Sequence, residues 1–517
     1  MYKKIFLALF IIIFTTIYTF SQSCYSPMID SAVSKVTLQT LTLLNRQLSG
    51  DTTVMIGGNL DTIKSRHYLQ PGNQKAAQLI YERFQSFGLI TCYWSFSASG
   101  VNVIGKITGS KYPNQYFIMC AHYDDMPTGL IAPGADDNAS GTVCIIEAAR
   151  VMSNLIPDYT VLFIAFDEEE RGLYGSKAYA DTSFAHGDSI VGVLNLDMIA
   201  WDGNADNKVR ILTNTNSVPF ADVNYSAASI YVPGLVPMKV SSTSGGSDHY
   251  SFWQRGYKAT CTIEDDFNPY YHTVNDKFSN INQQYFTLCS KASVAAFFVN
   301  AFDYKISFVH SALSSVSDTS SRIASVTIKS PHLLGLSGLK APRLYYKVNT
   351  GSFNYINHFY SNLDTFKFLI PGQPQGSAVY YYFAAQDSLS RFVGTSPQGG
   401  KGIEPPGTIA PSGLYSYSIT TGIAENEQPV KYDLLQNYPN PFNAETIIEF
   451  SIPKISGVRL TVYDVLGREV VTLIDDKLPG GSHKVLFNAG SLPSGMYFYS
   501  LFTDEVKTGT KKLILLK

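Results

Sequence analysis

Six consecutive residues, Val161-Leu162-Phe163-Ile164-Ala165-Phe166, carry no polar side chain, and four acids, Asp167-Glu168-Glu169-Glu170, follow at once. An apolar run without alternation implies a strand buried on both faces, hence a sheet covered by helices on each side. Acids in a row ordinarily form a solvated face. At the end of a core strand they repel one another unless a cation or a shared proton compensates. The arrangement recurs: Tyr116–Ala121 runs into His122 and Asp124, and Val193-Leu194-Asn195-Leu196 runs into Asp197. Chemistry presented at strand ends is characteristic of α/β sheets.

Around these strands the pattern alternates between helix and strand. A helix is expected from an N-cap at Asn73 through Phe87, stopped by Gly88. Strands are expected at Val101–Ile107, Tyr116–Ala121, Thr160–Phe166, Val191–Leu196, Val209–Leu212 and Lys258–Ile263. Helices are expected at Ser140–Met152 and, closing the domain, Gln283–Phe302. The reading is an α/β catalytic domain over 25–305, with a mixed, mostly parallel sheet flanked by helices. From 306 to 420 helical periodicity vanishes, and short aromatic and β-branched runs alternate with Gly, Pro, Ser and Asn, which indicates an immunoglobulin-like β-sandwich. A polar linker over 421–432 leads to a second all-β module, 433–517.

With 517 residues, several domains are expected. A net charge of −2 leaves no basic footprint for nucleic acid or an anionic membrane. Charged residues are sparse at 15%, while 34 Tyr and 31 Phe favour β-rich extracellular domains. Lys3 and Lys4 precede the apolar run Ile5–Ile13, and Thr19-Phe20-Ser21 forms a small-x-small cleavage signal, so residues 1–21 read as a secretory signal peptide. Thr15, Thr16 and Thr19 interrupt the run and argue against an anchor, and no later segment reads as a stable membrane span. Six cysteines (Cys24, Cys92, Cys120, Cys144, Cys261, Cys289) lack zinc-ribbon spacing, and disulfides and buried thiols stay equally open.

The chemistry-bearing residues fall in five segments, AHYDD, GADDNASG, FDEEERGLYGS, LNLDMIA and PYYHTVND. Alternation puts His122 and Asp124 on one face, so the carboxylate can hold the imidazole's second N–H. Asp136-Asp137-Asn138 precedes a helix; Asn138 or Ser140 suffices as a cap, which leaves a carboxylate to bridge two cations. One acid of the 167–170 run can ligate while its neighbour takes a proton from water. Two histidines with several carboxylates suit Zn²⁺.

The order His122, Asp137, Glu169-Glu170, Asp197, His272 resembles the M28 metallopeptidases, the secreted di-zinc aminopeptidases, over roughly 40–305. The resemblance implies two Zn²⁺ per chain. His122 and Asp197 complete one site, Glu170 and His272 the other, and Asp137 is shared. It makes Glu169 the general base toward a metal-bridged water, Asp124 a support for His122, and Tyr271 an oxyanion donor. His249 of Ser247-Asp248-His249 reads as structural or pocket-lining. The implied reaction is hydrolysis of the N-terminal amino acid from peptide or protein substrates with a free N-terminus.

Three alternatives stand beside it. A carboxypeptidase or dipeptidase of the same fold needs a cationic carboxylate clamp, for which Arg171 and Arg255 are candidates. A glutaminyl-cyclase-like acyltransferase uses one zinc, and a non-catalytic surface binding protein uses none. The end of the chain, with Asn437–Asn443 (NYPNPFN), VYDVLGREV and SGMYFY, resembles the C-terminal sorting domain of type IX secretion. That implies the type IX machinery as a partner, with export across the inner membrane by the signal peptide and across the outer membrane by this domain, to the surface or medium.

Overall fold

An eight-stranded mixed sheet carries the strand ends singled out above. Its strands are β1 (Ile90–Ser95), β2 (Val101–Ile107), β3 (Tyr112–His122), β4 (Tyr159–Phe166), β5 (Ser189–Leu196), β6 (Lys208–Thr213), β7 (Val236–Ser241) and β8 (Ala259–Glu264). Their spatial order is β7-β6-β8-β5-β3-β4-β2-β1. The central run β8-β5-β3-β4 is parallel throughout, so the C-terminal ends of these four strands share one edge. β1, β2 and β6 join antiparallel to their inward neighbours. This computed structural model describes residues 22–516 apart from Ser244, residues 421–430, Tyr438–Pro439, Asn443–Ala444 and Ser491. The expected signal peptide, most of the expected linker and part of the Asn437–Asn443 motif therefore lie outside the described residues.

Both faces of the sheet are buried, as the apolar runs require. Phe117, Met119, Ala121, Val161, Phe163 and Ala165 pack on one side against helices that include Ala139–Met152 and Gln283–Ala301. The intervening Ile118, Cys120, Leu162, Ile164 and Phe166 pack on the other against Ala180 of helix Tyr174–His186 and Phe252 of helix His249–Gln254. Strict alternation along each strand assigns successive residues to opposite layers.

One helix boundary differs from expectation for a physical reason. The helix expected to be capped by Asn73 begins at Pro71 and ends at Ser86, with Gln70 as N-cap. Proline suits the first helical position because its missing N–H and fixed φ cost nothing there. Asn73 is freed from capping, and its amide instead donates to Arg66 O at 3.0 Å and Asp167 Oδ1 at 2.8 Å.

Beyond the eight-stranded sheet lie two five-stranded antiparallel sheets. Their inner faces meet through Val326, Phe366 and Phe368 on one side and Leu344, Val379 and Phe383 on the other, with Phe368 and Phe383 ring centroids 5.6 Å apart. Gln22–Ser23 supplies an edge strand to the first of these sheets by pairing with Lys305 and Ile306. The Tyr231 hydroxyl of helix Val218–Tyr231 holds the same segment, donating to Cys24 O at 2.9 Å and accepting from Ser26 N at 2.7 Å. One apolar core runs from Cys24 to Ile419, and the chain divides into two compact units at Ile419/Thr420. In the second unit a three-stranded and a four-stranded antiparallel sheet share a core that includes Ile448, Phe450, Leu460, Tyr499 and Leu513. No helix among the described residues is long and apolar enough to cross a membrane.

Cys92 is exposed, and Cys120, Cys144, Cys261 and Cys289 are buried thiols.

Candidate metal centre

The shared edge of β8, β5, β3 and β4 brings together every residue singled out as a metal ligand. His122 is the last residue of β3, Asp197 follows β5, and Glu169 and Glu170 follow β4. Asp137 stands just before helix Ala139–Met152, where Asn138 caps by accepting Gly141 N at 2.8 Å. His272 comes from the loop after β8.

Two donor sets form and overlap. His122 Nε2 lies 3.4 Å from Asp137 Oδ1 and 3.4 Å from Asp197 Oδ1. His272 Nε2 lies 3.2 Å from Asp137 Oδ2 and 2.8 Å from Glu170 Oε2. The two oxygens of Asp137 thus face different histidines. In each set, His122–Asp137–Asp197 and Asp137–Glu170–His272, the donor atoms lie within 4.8 Å of one another. Asp137 Oδ2, Glu170 Oε1 and His272 Nε2 are buried without hydrogen-bonding geometry to any partner. Buried polar atoms of this kind are costly unless something outside the chain satisfies them. Two imidazoles and three carboxylates converging this way fit a pair of Zn²⁺ ions.

Glu169 is 9% exposed and lies beside His122 and Glu170, which together form a third close group. Burial, reinforced by the charges of Asp248, Asp197 and Glu170, raises its carboxyl well above the usual range. Burial and the neighbouring Asp137 likewise push Glu170 up to about 8. Against its own burial, the close approach and charge of His122 and His272 hold Asp137 below the ordinary range. Burial lowers His122, but the charges of Glu169 and Asp197 prevail and raise it well above its ordinary value. The pocket carries an excess of negative charge that only cations or protons can balance.

The supporting residues explain the placement. Asp124 Oδ1 accepts Glu169 N at 3.1 Å and Oδ2 accepts Glu170 N at 3.2 Å, which sets the turn carrying these two acids. The expected grip of this carboxylate on His122 is looser: Nδ1 lies 3.5 Å from Asp124 Oδ1 and 3.2 Å from the Asp124 carbonyl. Glu168, Met198 and His272 all adopt left-handed φ values of 57°, 50° and 57°. Such non-glycine conformations cost of order 1–3 kcal/mol each and persist where surrounding contacts over-determine them.

Tyr271 stacks on His272 with ring centroids 3.7 Å apart, and burial, with the charges of Asp137, Glu170, Asp197 and Glu169, raises its hydroxyl above the ordinary range. The two cations considered as a carboxylate clamp are engaged elsewhere. Arg171 pairs with Glu168 at 2.7 Å and lies over the rings of Tyr68 and Tyr174, and Arg255 pairs with Asp181 at 2.6 Å. His249 is buried edge-on against Trp253 at 4.5 Å, and burial lowers it to about 4. Asp276, which accepts Asp136 N and Asp137 N, and Arg66, which donates to Tyr123 O, Pro133 O and Gly134 O, carry no local sequence signal.

Residues 102–297 match the model of peptidase family M28, and residues 436–516 match that of the secretion system C-terminal sorting domain. A probable zinc metalloprotease of Pyrenophora teres f. teres (strain 0-1) is 41% identical over 103 residues, 19% of this chain and 21% of the relative. Aminopeptidase YwaD of Bacillus subtilis (strain 168) is 32% identical over 194 residues, 35% of this chain and 41% of the relative. The chain thus spans well under half the length of these curated relatives. The solved structure of the LapA aminopeptidase of Legionella pneumophila superposes with a TM-score of 0.47 at 22% identity, covering 53% of this chain and 74% of that one. The chain therefore carries a peptidase family M28 domain and, at its C-terminal end, a secretion system sorting domain.

Proposed function

We propose that this chain is a secreted di-zinc aminopeptidase that removes the N-terminal amino acid from peptides and proteins with a free N-terminus. Residues 25–305 are the peptidase and 306–420 an immunoglobulin-like sandwich. Residues 421–432 are a linker, and 433–517 address the chain to the type IX machinery for passage to the cell surface or medium. The observation that carries the reading is Asp137, whose two oxygens face two separate histidine–carboxylate sets. The names of the relatives, a zinc metalloprotease and an aminopeptidase, support it.

In this reading His122 and Asp197 hold one zinc, Glu170 and His272 the other, and Asp137 both. Bound zinc supplies Lewis-acid polarisation of the scissile carbonyl and lowers the pKa of water. Glu169 takes the water's proton and delivers it to the leaving amine; the burial that raises its proton affinity suits it to carry one. Tyr271 donates its hydroxyl to the developing oxyanion. Asp197 and Glu169 supply negative charge toward the substrate's α-ammonium.

The test compares release of the first residue from an unblocked peptide and from its N-acetylated copy, with purified enzyme and with Glu169→Gln. Metal content is measured alongside. The reading expects two zinc ions per chain, cleavage of the unblocked peptide only, and a loss of about 10²–10⁴-fold in the variant with metal retained. Cleavage of both peptides moves the protein to another peptidase class. No cleavage with zinc supplied refutes the reading.

A further inference from the structure

We infer that Arg66, which lies outside the stretch matching the peptidase family, is a positioning residue that fixes three ligand-bearing segments relative to one another. The inference rests on the di-metal reading above. Arg66 is fully buried, and its guanidinium spends its donors on main-chain carbonyls. Nε donates to Tyr123 O at 2.7 Å, Nη1 to Leu48 O at 2.7 Å and Pro133 O at 2.9 Å, and Nη2 to Gly134 O at 2.9 Å. Nη1 also lies 3.3 Å from Asp125 Oδ2, whose carboxylate accepts the Arg66 N–H.

The acceptors are informative. Tyr123 directly follows His122, and Pro133-Gly134 opens the loop that ends in Asp137. A third link runs through the main chain, because the Asn73 amide joins Arg66 O to Asp167 Oδ1. Asp167 in turn accepts Glu168 N at 3.0 Å, at the head of the Glu169–Glu170 turn. One side chain and its own carbonyl therefore span the His122, Asp137 and Glu169–Glu170 segments. Gly134 shows how tight the fit is: with φ of 46°, an added Cβ would sit 2.6 Å from Arg66 Nη2 and 2.4 Å from Asp137 O.

A buried ion pair is a poor source of stability, since desolvation of both charges offsets their attraction. A planar fork of donors with fixed directions is, however, suited to holding separate carbonyls at set distances. Lysine keeps the charge beside Asp125 but loses that fork. A purely structural pair would change the stability of the fold and leave the metal sites of folded molecules as they were.

The experiment uses the full chain as wild type, Arg66→Lys and Asn73→Ala. Each is loaded with Zn²⁺ or Co²⁺, confirmed folded by circular dichroism, and assayed for metal stoichiometry, retention against a chelator, the Co²⁺ visible spectrum, kcat and KM. For Arg66→Lys the inference expects a shifted Co²⁺ spectrum, metal retention weaker by about 10–100-fold, and kcat lowered with KM nearly unchanged. Asn73→Ala, which removes the amide joining Arg66 O to Asp167 and leaves the guanidinium in place, shifts the same readouts by about 3–10-fold. Folded Arg66→Lys with wild-type spectrum and retention overturns the inference. If Arg66→Lys does not fold, unchanged retention in Asn73→Ala overturns it. Wild type holding fewer than two metals refutes the di-metal reading instead, whatever the variants do.

Discussion

The carboxylate of Asp276 accepts the backbone N–H of Asp137 at 2.9 Å through one oxygen and that of Asp136 at 3.0 Å through the other. Asp276 stands four residues after His272, so the loop of one proposed ligand grips the loop of another. The Ala135 N–H also donates to the Asp276 carbonyl at 3.0 Å.

Asp276→Ala leaves two buried N–H groups without their acceptor, a cost of about 1–3 kcal/mol for each. We expect a lower midpoint in thermal denaturation of the metal-free chain, together with weaker retention of both zinc ions, because the displaced residue is the shared one. Calorimetry and chelator competition would measure the two effects. Loss of a single zinc with the other held as tightly as before would contradict the assignment of Asp137 to both sites.

Tyr271→Phe keeps the ring that stacks on His272 and removes only the hydroxyl. If that hydroxyl meets the oxyanion, kcat falls by roughly 10²-fold or more while KM barely moves, since the interaction exists only in the transition state. Steady-state kinetics on an unblocked dipeptide substrate decide it. An unchanged kcat would remove Tyr271 from the catalytic set.

His249 gives the fold an acid-sensitive component. Burial depresses its pKa from 6.5 to about 4, so near pH 5 the unfolded chain binds a proton that the folded chain refuses. Its contribution is present above pH 6.5 and is lost as pH falls toward 4, and the full difference is of order 3 kcal/mol. His249→Phe removes this component while keeping an aromatic ring beside Trp253. Thermal midpoints at pH 7.5 and pH 4.5 should therefore drop less in the variant than in the wild type. Equal drops would show that the imidazole is not held neutral.

The proposed ligands are legible in the sequence because of how a buried parallel strand ends. Its side chains stay apolar until the chain leaves the sheet, so the first polar residues after the run stand at the sheet's edge. His122, Asp197 and the 167–170 acids are found in that way, and Asn138 reveals itself as a cap next to Asp137. The residues that hold them are hidden for the opposite reason. Arg66 sits between Ser65 and His67 with no pattern marking it as buried, and Asp276 lies in an irregular loop. Asn73 has the local appearance of a helix cap, yet the proline two residues earlier takes the first helical position and frees the amide for Arg66 and Asp167. The helices Tyr174–His186 and Val218–Tyr231 also escape a reading of apolar spacing.

What the sequence determines by itself is local: which strands are covered on both faces, where each ends, and which polar residue stands there. Covalent neighbours and side-chain period suffice for that. Only the tertiary structure decides that the ends of β8, β5, β3 and β4 share one edge, and that Asp137 turns one oxygen toward each histidine. It alone places Arg66 and Asp276 behind the loops that carry those groups. These relationships join residues far apart in the chain, so they depend on strand order and on main-chain hydrogen bonds that no local pattern encodes.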